Sequence, residues 1–323
     1  MESLPVPSVQ AMVAATGGAH VPPRYLRPEV AADAAASDGE AEIPIIDFER
    51  LLLHPEPEEE EACRGESARL HAACQEWGFF QLINHGVPDD VIEGMKANIG
   101  AFFGLPAETK QQFAQERGQL EGYGQLFVVS EDQKLDWADI LYLNTQPPEH
   151  RSMRFWPDKP DTLRSTLEAY SAAVKTVAGR LLAIMSNNLG LPPEVIASKC
   201  AGGGIQSVRM NYYPPCAEAD KVVGFSPHSD ADLLTLVLQV NQVQGLQVKR
   251  QDGSWVPVRP LKGAFVVNVG DILQVLHCIL HSDQEEPMYK TVDHQSFMSL
   301  FFSAKLEGKS FLQRMKLDLD TAS

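Results

Sequence analysis

One apolar stripe dominates the chain: Leu163, Leu167, Tyr170, Val174, Val177, Leu181 and Met185 recur at steps of four and three. That spacing keeps them on one side of an α-helix and predicts a long helix with a single buried face from about Thr162 to Leu189. Shorter helical patterns cover Ala62–Glu76, Pro88–Phe103 and Ala107–Phe113, and a further short helix is expected after Pro192. Among them, Ile43–Phe48 reads as a short strand in which Pro44 favours an edge or first position. Trp77–Gly86 reads as a strand closed by a glycine turn. The cluster Gly202-Gly203-Gly204 marks a change of regime. Beyond it the apolar runs shorten to strand length, at Ile205–Tyr213, Leu233–Val240, Leu246–Lys249, Trp255–Val258, Ala264–Val269 and Ile272–Leu276, with Asp252-Gly253 as a hairpin turn. Helices gathered N-terminally and many short strands following them predict an α+β chain, a β-sandwich or barrel flanked by helices. There is no internal repeat.

Composition trims this picture at its ends. The N-terminal stretch is rich in Ala, Pro and Gly, Ala31–Glu40 reads as a linker with little surface to bury, and order is expected to begin near Ile43. A hydrophobic content of 44% over 323 residues is ample for a core. The 27 basic and 43 acidic residues leave a formal charge of -16, which repels phosphate backbones and anionic headgroups, so nucleic acid and membrane surfaces are not expected partners. The acidic run Glu56–Glu61 reads as a solvated loop. Five cysteines, an odd number with no close CxxC pair, argue against a disulfide framework and against a zinc ribbon. With no basic-then-apolar leader and no window near the roughly 20 apolar residues that span a bilayer, the expected compartment is the cytoplasm.

Two places concentrate polar chemistry. On the strand Ile205–Tyr213, a period of two puts Arg209, Asn211 and Tyr213 on one face and Val208, Met210 and Tyr212 on the other. A polar inner face is costly unless a bound molecule or a structural hydrogen-bond network satisfies it. In Pro227-His228-Ser229-Asp230 an extended backbone puts His228 and Asp230 on the same face, within reach of one cation. A neutral nitrogen beside a hard carboxylate, completed by a second histidine, is the facial triad of non-haem Fe(II) oxygenases and leaves positions open for a chelating cosubstrate and dioxygen. Alone, a His-x-Asp is more often a surface pair or a simple hydrogen bond; its surroundings decide.

Those surroundings resemble one family. Arg209-Met210-Asn211-Tyr212-Tyr213-Pro214-Pro215-Cys216, Pro227-His228-Ser229-Asp230 and Val267-Asn268-Val269-Gly270-Asp271 resemble the core motifs of plant 2-oxoglutarate-dependent oxygenases. Trp77-Gly78-Phe79-Phe80, Asn84-His85-Gly86 and Ser130–Trp137 resemble the N-terminal extension of the branch with norcoclaurine-synthase-like, flavonol-synthase-like and senescence-related members. The resemblance runs from about Ser8 to Leu276. It implies a double-stranded β-helix (jelly roll) wrapped by helices, with His228 and Asp230 as iron ligands and Asn211 and Tyr213 against 2-oxoglutarate. It further implies Fe(II) as cofactor, 2-oxoglutarate as cosubstrate, ascorbate as reductant, and dioxygen and a small specialised metabolite or hormone as partners. His85 reads as a packed structural histidine.

The resemblance fades at the C-terminal end. The stretch that ends in the third ligand is matched by Tyr289-Lys290-Thr291-Val292-Asp293-His294, which makes His294 the expected distal ligand and His281, nearer to Asp271, its rival. The family's Arg-x-Ser, whose guanidinium grips the far carboxylate of 2-oxoglutarate in two-pronged fashion, has no counterpart after His294; the one arginine there is Arg314, and Lys305 could offer only a point charge. The expected organisation is a flexible segment 1–42, a helical extension 43–200, a jelly-roll core 201–303 and an atypical tail 304–323. Phe127, Tyr142, Phe225 and Phe302 have the character of pocket or core residues. Two readings follow: an oxygenase that hydroxylates, demethylates or desaturates a small molecule, or a relative that keeps the fold without binding 2-oxoglutarate. A cupin-like metal protein without an organic cosubstrate is disfavoured by the match in the helical half.

Overall fold

Every member of the stripe from Leu163 to Met185 is buried in a computed structural model of the protein, on a helix of 26 residues, Leu163–Asn188. The residues described are 4, 6–18, 20–30, 42–52, 60–117, 119–125, 128, 130–198 and 204–280, with side chains described as far as 275. They fall into two units. The first comprises 1–37, 87–175 and 200–226, the second 38–86, 176–199 and 227–323.

The first unit begins earlier than the composition suggests. Helix α1, Val9–Thr16, is capped by Ser8, whose hydroxyl accepts from Ala11 N. Val9 and the following Val21 and Tyr25 are buried with Val128, Leu135 and Trp137 in one apolar cluster. The expectation that order starts at Ile43 is therefore corrected. Three well-placed apolar residues, Val9, Val21 and Tyr25, anchor a stretch whose average composition resembles a linker, and Tyr25 packs edge-on against Trp137 at 5.3 Å between ring centroids. The unit also holds three strands that pair as one antiparallel sheet, Gly122–Gly124, Asp139–Gln146 and Gln206–Tyr212. On the last, Met210 is buried and the Tyr212 ring stacks on Phe103 at 5.2 Å, while Arg209 and Asn211 take the opposite face, as the period of two requires; Tyr213 follows the end of the strand.

In the second unit, helix Glu60–Glu76 starts on two residues of the acidic run, Glu60 and Glu61, where negative charge complements the helix dipole; these two belong to the helix rather than to the expected loop, and the rest of the run lies outside the described residues. With Gly122–Gly124, Asp139–Gln146 and Gln206–Tyr212 as β3 to β5 and the hairpin strands Gln247–Lys249 and Trp255–Pro257 as β7 and β8, a four-stranded sheet has the order β1-β2-β9-β6, with β1 Ile45–Asp47, β2 Phe79–Ile83, β6 Leu234–Leu238 and β9 Phe265–Val269. β1 and β2 are parallel, and the remaining pairs antiparallel. The hairpin around Asp252-Gly253 is present, with Gly253 at φ 89° and Lys249 opposite Trp255. Ile43, Val248, Val258 and Val266 form the core beside it. One predicted strand is corrected: Ile272–Leu276 lies inside a helix, Asp271–Leu280. A run of five mostly apolar residues does not separate strand from buried helix. What does is the acidic Asp271 in the first turn and the recurrence of Ile272, Val275, Leu276 and Ile279 at helical steps.

Candidate iron site

His228 and Asp230 lie on the irregular segment that leads into β6. The turn after β9 fixes that segment. Gly270 N donates to Leu233 O at 2.9 Å and Asp271 N donates to Asp230 O at 2.8 Å. Ser229 Oγ donates to Asp271 Oδ2 at 3.0 Å. The result places His228 Nε2 3.3 Å from Asp230 Oδ1, with both side chains about a third exposed, at 35% and 28%.

The second oxygen of Asp230 is occupied. Thr235 Oγ1 donates to Asp230 Oδ2 at 2.6 Å and Asn268 Nδ2 donates to the same atom at 2.9 Å. Thr235 and Asn268 are direct partners across the antiparallel β6–β9 pair, so their side chains share a face. Burial alone pushes the Asp230 carboxyl up, but hydrogen bonds from His228, Thr235 and Asn268 and the neighbouring imidazole outweigh it and hold the group well below the usual carboxylate range. Asp230 is therefore an anion at any physiological pH.

A nitrogen and an anionic oxygen so placed suit a divalent ion. Two donors at about 2.1 Å from one octahedral ion, at right angles, stand about 3 Å apart, close to the 3.3 Å observed. Among the described residues no cluster of three His, Cys, Asp or Glu side chains forms. His294 and its rival His281 lie outside the described residues, as do Phe127, Phe302, Lys305 and Arg314.

The other predicted residues belong to the first unit. There Arg209 Nε donates to Asn211 Oδ1 at 3.0 Å, and the guanidinium lies 4.1 Å from the centroid of the Phe225 ring. Tyr213 is half exposed, and its ring fills the space a side chain on Gly224 would need. Tyr142 is partly buried on its strand, in register with Arg209. Sequence reasoning missed Thr235 and passed over Asn268 inside a quoted motif. Their role follows from strand register, for which the only local trace is a polar residue within each of two apolar runs.

His85 behaves as structure. It is buried, its Nε2 lies 2.8 Å from Gly263 O, and its ring packs on Phe265 at 4.4 Å. His85→Ala is expected to lower stability by about 2–3 kcal/mol, from the lost ring contacts and the lost hydrogen bond to Gly263 O, and to leave iron affinity unchanged. Urea unfolding and an anaerobic Fe(II) titration check both halves.

A histidine and a carboxylate two residues apart, set beside an antiparallel sheet with one carboxylate oxygen tied down, offer two of the donors that a divalent ion needs. Comparison with known proteins sharpens the class. Residues 43–159 match the family model described as non-haem dioxygenase in morphine synthesis N-terminal, and residues 204–296 match that of the 2OG-Fe(II) oxygenase superfamily. Among similar relatives is 2-oxoglutarate-dependent dioxygenase 11 of Oryza sativa subsp. japonica, 40% identical over 98% of this chain and 98% of its own length. Another is oxoglutarate-dependent flavonoid 7-O-demethylase 1 of Ocimum basilicum, 39% identical over 98% of this chain and 92% of its own. A crystal structure of JOX2 in complex with 2OG, Fe and JA superposes with a TM-score of 0.85 at 28% identity, over 97% of this chain and 98% of that one. The chain belongs to the 2OG-Fe(II) oxygenase superfamily, whose cofactor is Fe(II) and whose cosubstrate is 2-oxoglutarate, and it has that family's α+β jelly-roll fold.

Proposed function

We propose that His228, Asp230 and His294 hold Fe(II), that Asn211 and Tyr213 lie against 2-oxoglutarate, and that the protein oxidises a small specialised metabolite or hormone. The observation that carries the reading is the His228–Asp230 pair, with Asp230 held as an anion and one of its oxygens directed at His228 Nε2. His294 is favoured over His281 because it ends the motif-like stretch Tyr289–His294, which a loop insertion displaces along the chain without destroying. The family match continues through residue 296.

Iron bound with 2-oxoglutarate and dioxygen supplies an oxidation coupled to decarboxylation of the oxo acid to succinate. The protein's part is to present the ligands and keep Asp230 ionised. It also orients the substrate and excludes bulk water. Hydroxylation, demethylation or desaturation all fit, with ascorbate as reductant; a flavonoid demethylase and a protein crystallised with JA stand among the relatives. In this reading 43–200 serves as helical extension, 201–303 as catalytic core and 304–323 as an atypical tail. A cytoplasmic setting accords with Cys63, Cys74 and Cys216, all free thiols. Among the described residues no helix is long and apolar enough to cross a membrane.

A second reading, a relative that does not bind 2-oxoglutarate, is favoured by one observation, the lack of an Arg-x-Ser after His294. Anaerobic titration of the Fe(II)-loaded protein with 2-oxoglutarate separates the two. The oxygenase gives a saturable visible charge-transfer band, lost in His294→Ala and kept in His281→Ala. A folded, iron-loaded wild type without the band is the 2-oxoglutarate-blind relative.

A further inference from the structure

We propose that Thr235 and Asn268 restrict Asp230 to binding iron through Oδ1 alone, and thereby keep open the position that 2-oxoglutarate needs; this rests on the oxygenase reading above. A carboxylate oxygen offers about two lone-pair sites. On Asp230 Oδ2 both are taken, one by Thr235 Oγ1 at 2.6 Å and one by Asn268 Nδ2 at 2.9 Å. Oδ1 is left to face His228 Nε2 at 3.3 Å. The two donors come from different strands yet meet on one atom, because Thr235 and Asn268 stand directly opposite each other between β6 and β9. The carboxylate plane is therefore set by the sheet itself.

The consequence concerns how many coordination positions remain. An octahedral ion with three protein donors has three positions left, two for the keto acid chelate and one for dioxygen. A carboxylate free to rotate binds through both oxygens and takes one of them. Thr235 and Asn268 act through Asp230 and touch neither iron nor substrate, so they are positioning residues. Groups behind a metal ligand alter affinity or activity by about 10- to 100-fold when removed. Here the affected quantity is cosubstrate chelation rather than retention of the metal.

The test uses Thr235→Val, which keeps the shape and removes the hydroxyl, Thr235→Ser, which restores it, and Asn268→Ala. Three readouts are taken on each full-length variant: Fe(II) affinity by anaerobic titration, 2-oxoglutarate affinity from the charge-transfer band, and the visible spectrum with Co(II) alone. Expected in Thr235→Val and Asn268→Ala is a 2-oxoglutarate affinity at least about tenfold weaker. Fe(II) affinity is expected to stay within about threefold of wild type, the Co(II) spectrum to change as the second Asp230 oxygen takes a coordination position, and Thr235→Ser to match wild type. Wild-type chelation in Thr235→Val overturns the proposal. So does a parallel fall of Fe(II) affinity, chelation and unfolding midpoint, the mark of a merely structural role. A wild type that binds Co(II) but gives no band with Fe(II) and 2-oxoglutarate sinks the oxygenase reading alone. The ligation proposal is then judged on the Co(II) spectra, and identical spectra for wild type and Thr235→Val overturn it.

Discussion

Gly270→Ala is expected to abolish Fe(II) binding and to cost about 3–5 kcal/mol of stability, as overpacking against rigid neighbours and lost hydrogen bonds together. A Cβ on Gly270 would stand 1.9 Å from Asp232 O, 2.7 Å from the carbonyl carbon of Asp232 and 3.2 Å from Asp230 O. All three neighbours are backbone atoms, so no side-chain rotation relieves the clash. Either the turn after β9 or the segment from Asp230 to Leu233 must move by more than an ångström. Both outcomes break the bonds that hold the site, Gly270 N to Leu233 O and Asp271 N to Asp230 O. They also pull Asp230 away from Thr235 and Asn268. Gly100→Ala is the control, since nothing lies within 4 Å of its added methyl apart from its chain neighbours and its own helix backbone; in a helix interior that change is neutral or stabilising by up to about 1 kcal/mol. Urea unfolding and anaerobic Fe(II) titration of the two variants decide the matter. Wild-type iron affinity in Gly270→Ala would show that the close approach of the turn to Asp232 is not what positions the ligand.

Features written in local spacing were legible from the sequence. The long helix is one example, because seven apolar residues at steps of four and three encode a buried face without reference to any partner. The two faces of Gln206–Tyr212 are another, since strand alternation is a property of the backbone. The His-x-Asp pair was legible for the same reason: two residues of extended chain bring both donors to one side. Features that depend on tertiary pairing were not. The strands Gly122–Gly124 and Asp139–Gln146 fall where the hydrophobic pattern assigned no element, and their stability comes from the sheet they join with Gln206–Tyr212. Thr235 looked like one polar residue in an apolar strand until register placed it opposite Asn268. The helix Asp271–Leu280 was misread because its start was judged by a short apolar run rather than by the acidic residue that opens its first turn.

The N-terminal helix shows the same dependence and carries the second large effect. Asp139→Ala is expected to release α1, with protection against hydrogen exchange over residues 8–25 falling about 100-fold, equivalent to about 3 kcal/mol. Eight residues are too few for a helix to persist alone in water, so α1 depends on what holds it. Asp139, only 1% exposed, accepts from Ser8 Oγ at 2.8 Å, Val9 N at 2.9 Å and Gln10 N at 2.8 Å. Those amides are donors that the first turn of a helix leaves without an internal partner, and a carboxylate there also meets the positive end of the helix dipole. Removing the carboxylate strands the amide of Val9, a residue with 0% exposure, while Val9 itself is pinned among Val21, Tyr25 and Trp137. The helix then either keeps its apolar contacts with unsatisfied donors or solvates the donors and gives up the contacts. Asp139→Asn retains one acceptor oxygen but turns an amide nitrogen toward the helix amides, so an intermediate loss of about 1–2 kcal/mol is expected. Undiminished protection in Asp139→Ala would mean that the apolar cluster alone holds α1. Loss in both variants, graded in this order, assigns the docking of the N-terminal segment to a single buried carboxylate that the apolar pattern of its strand conceals.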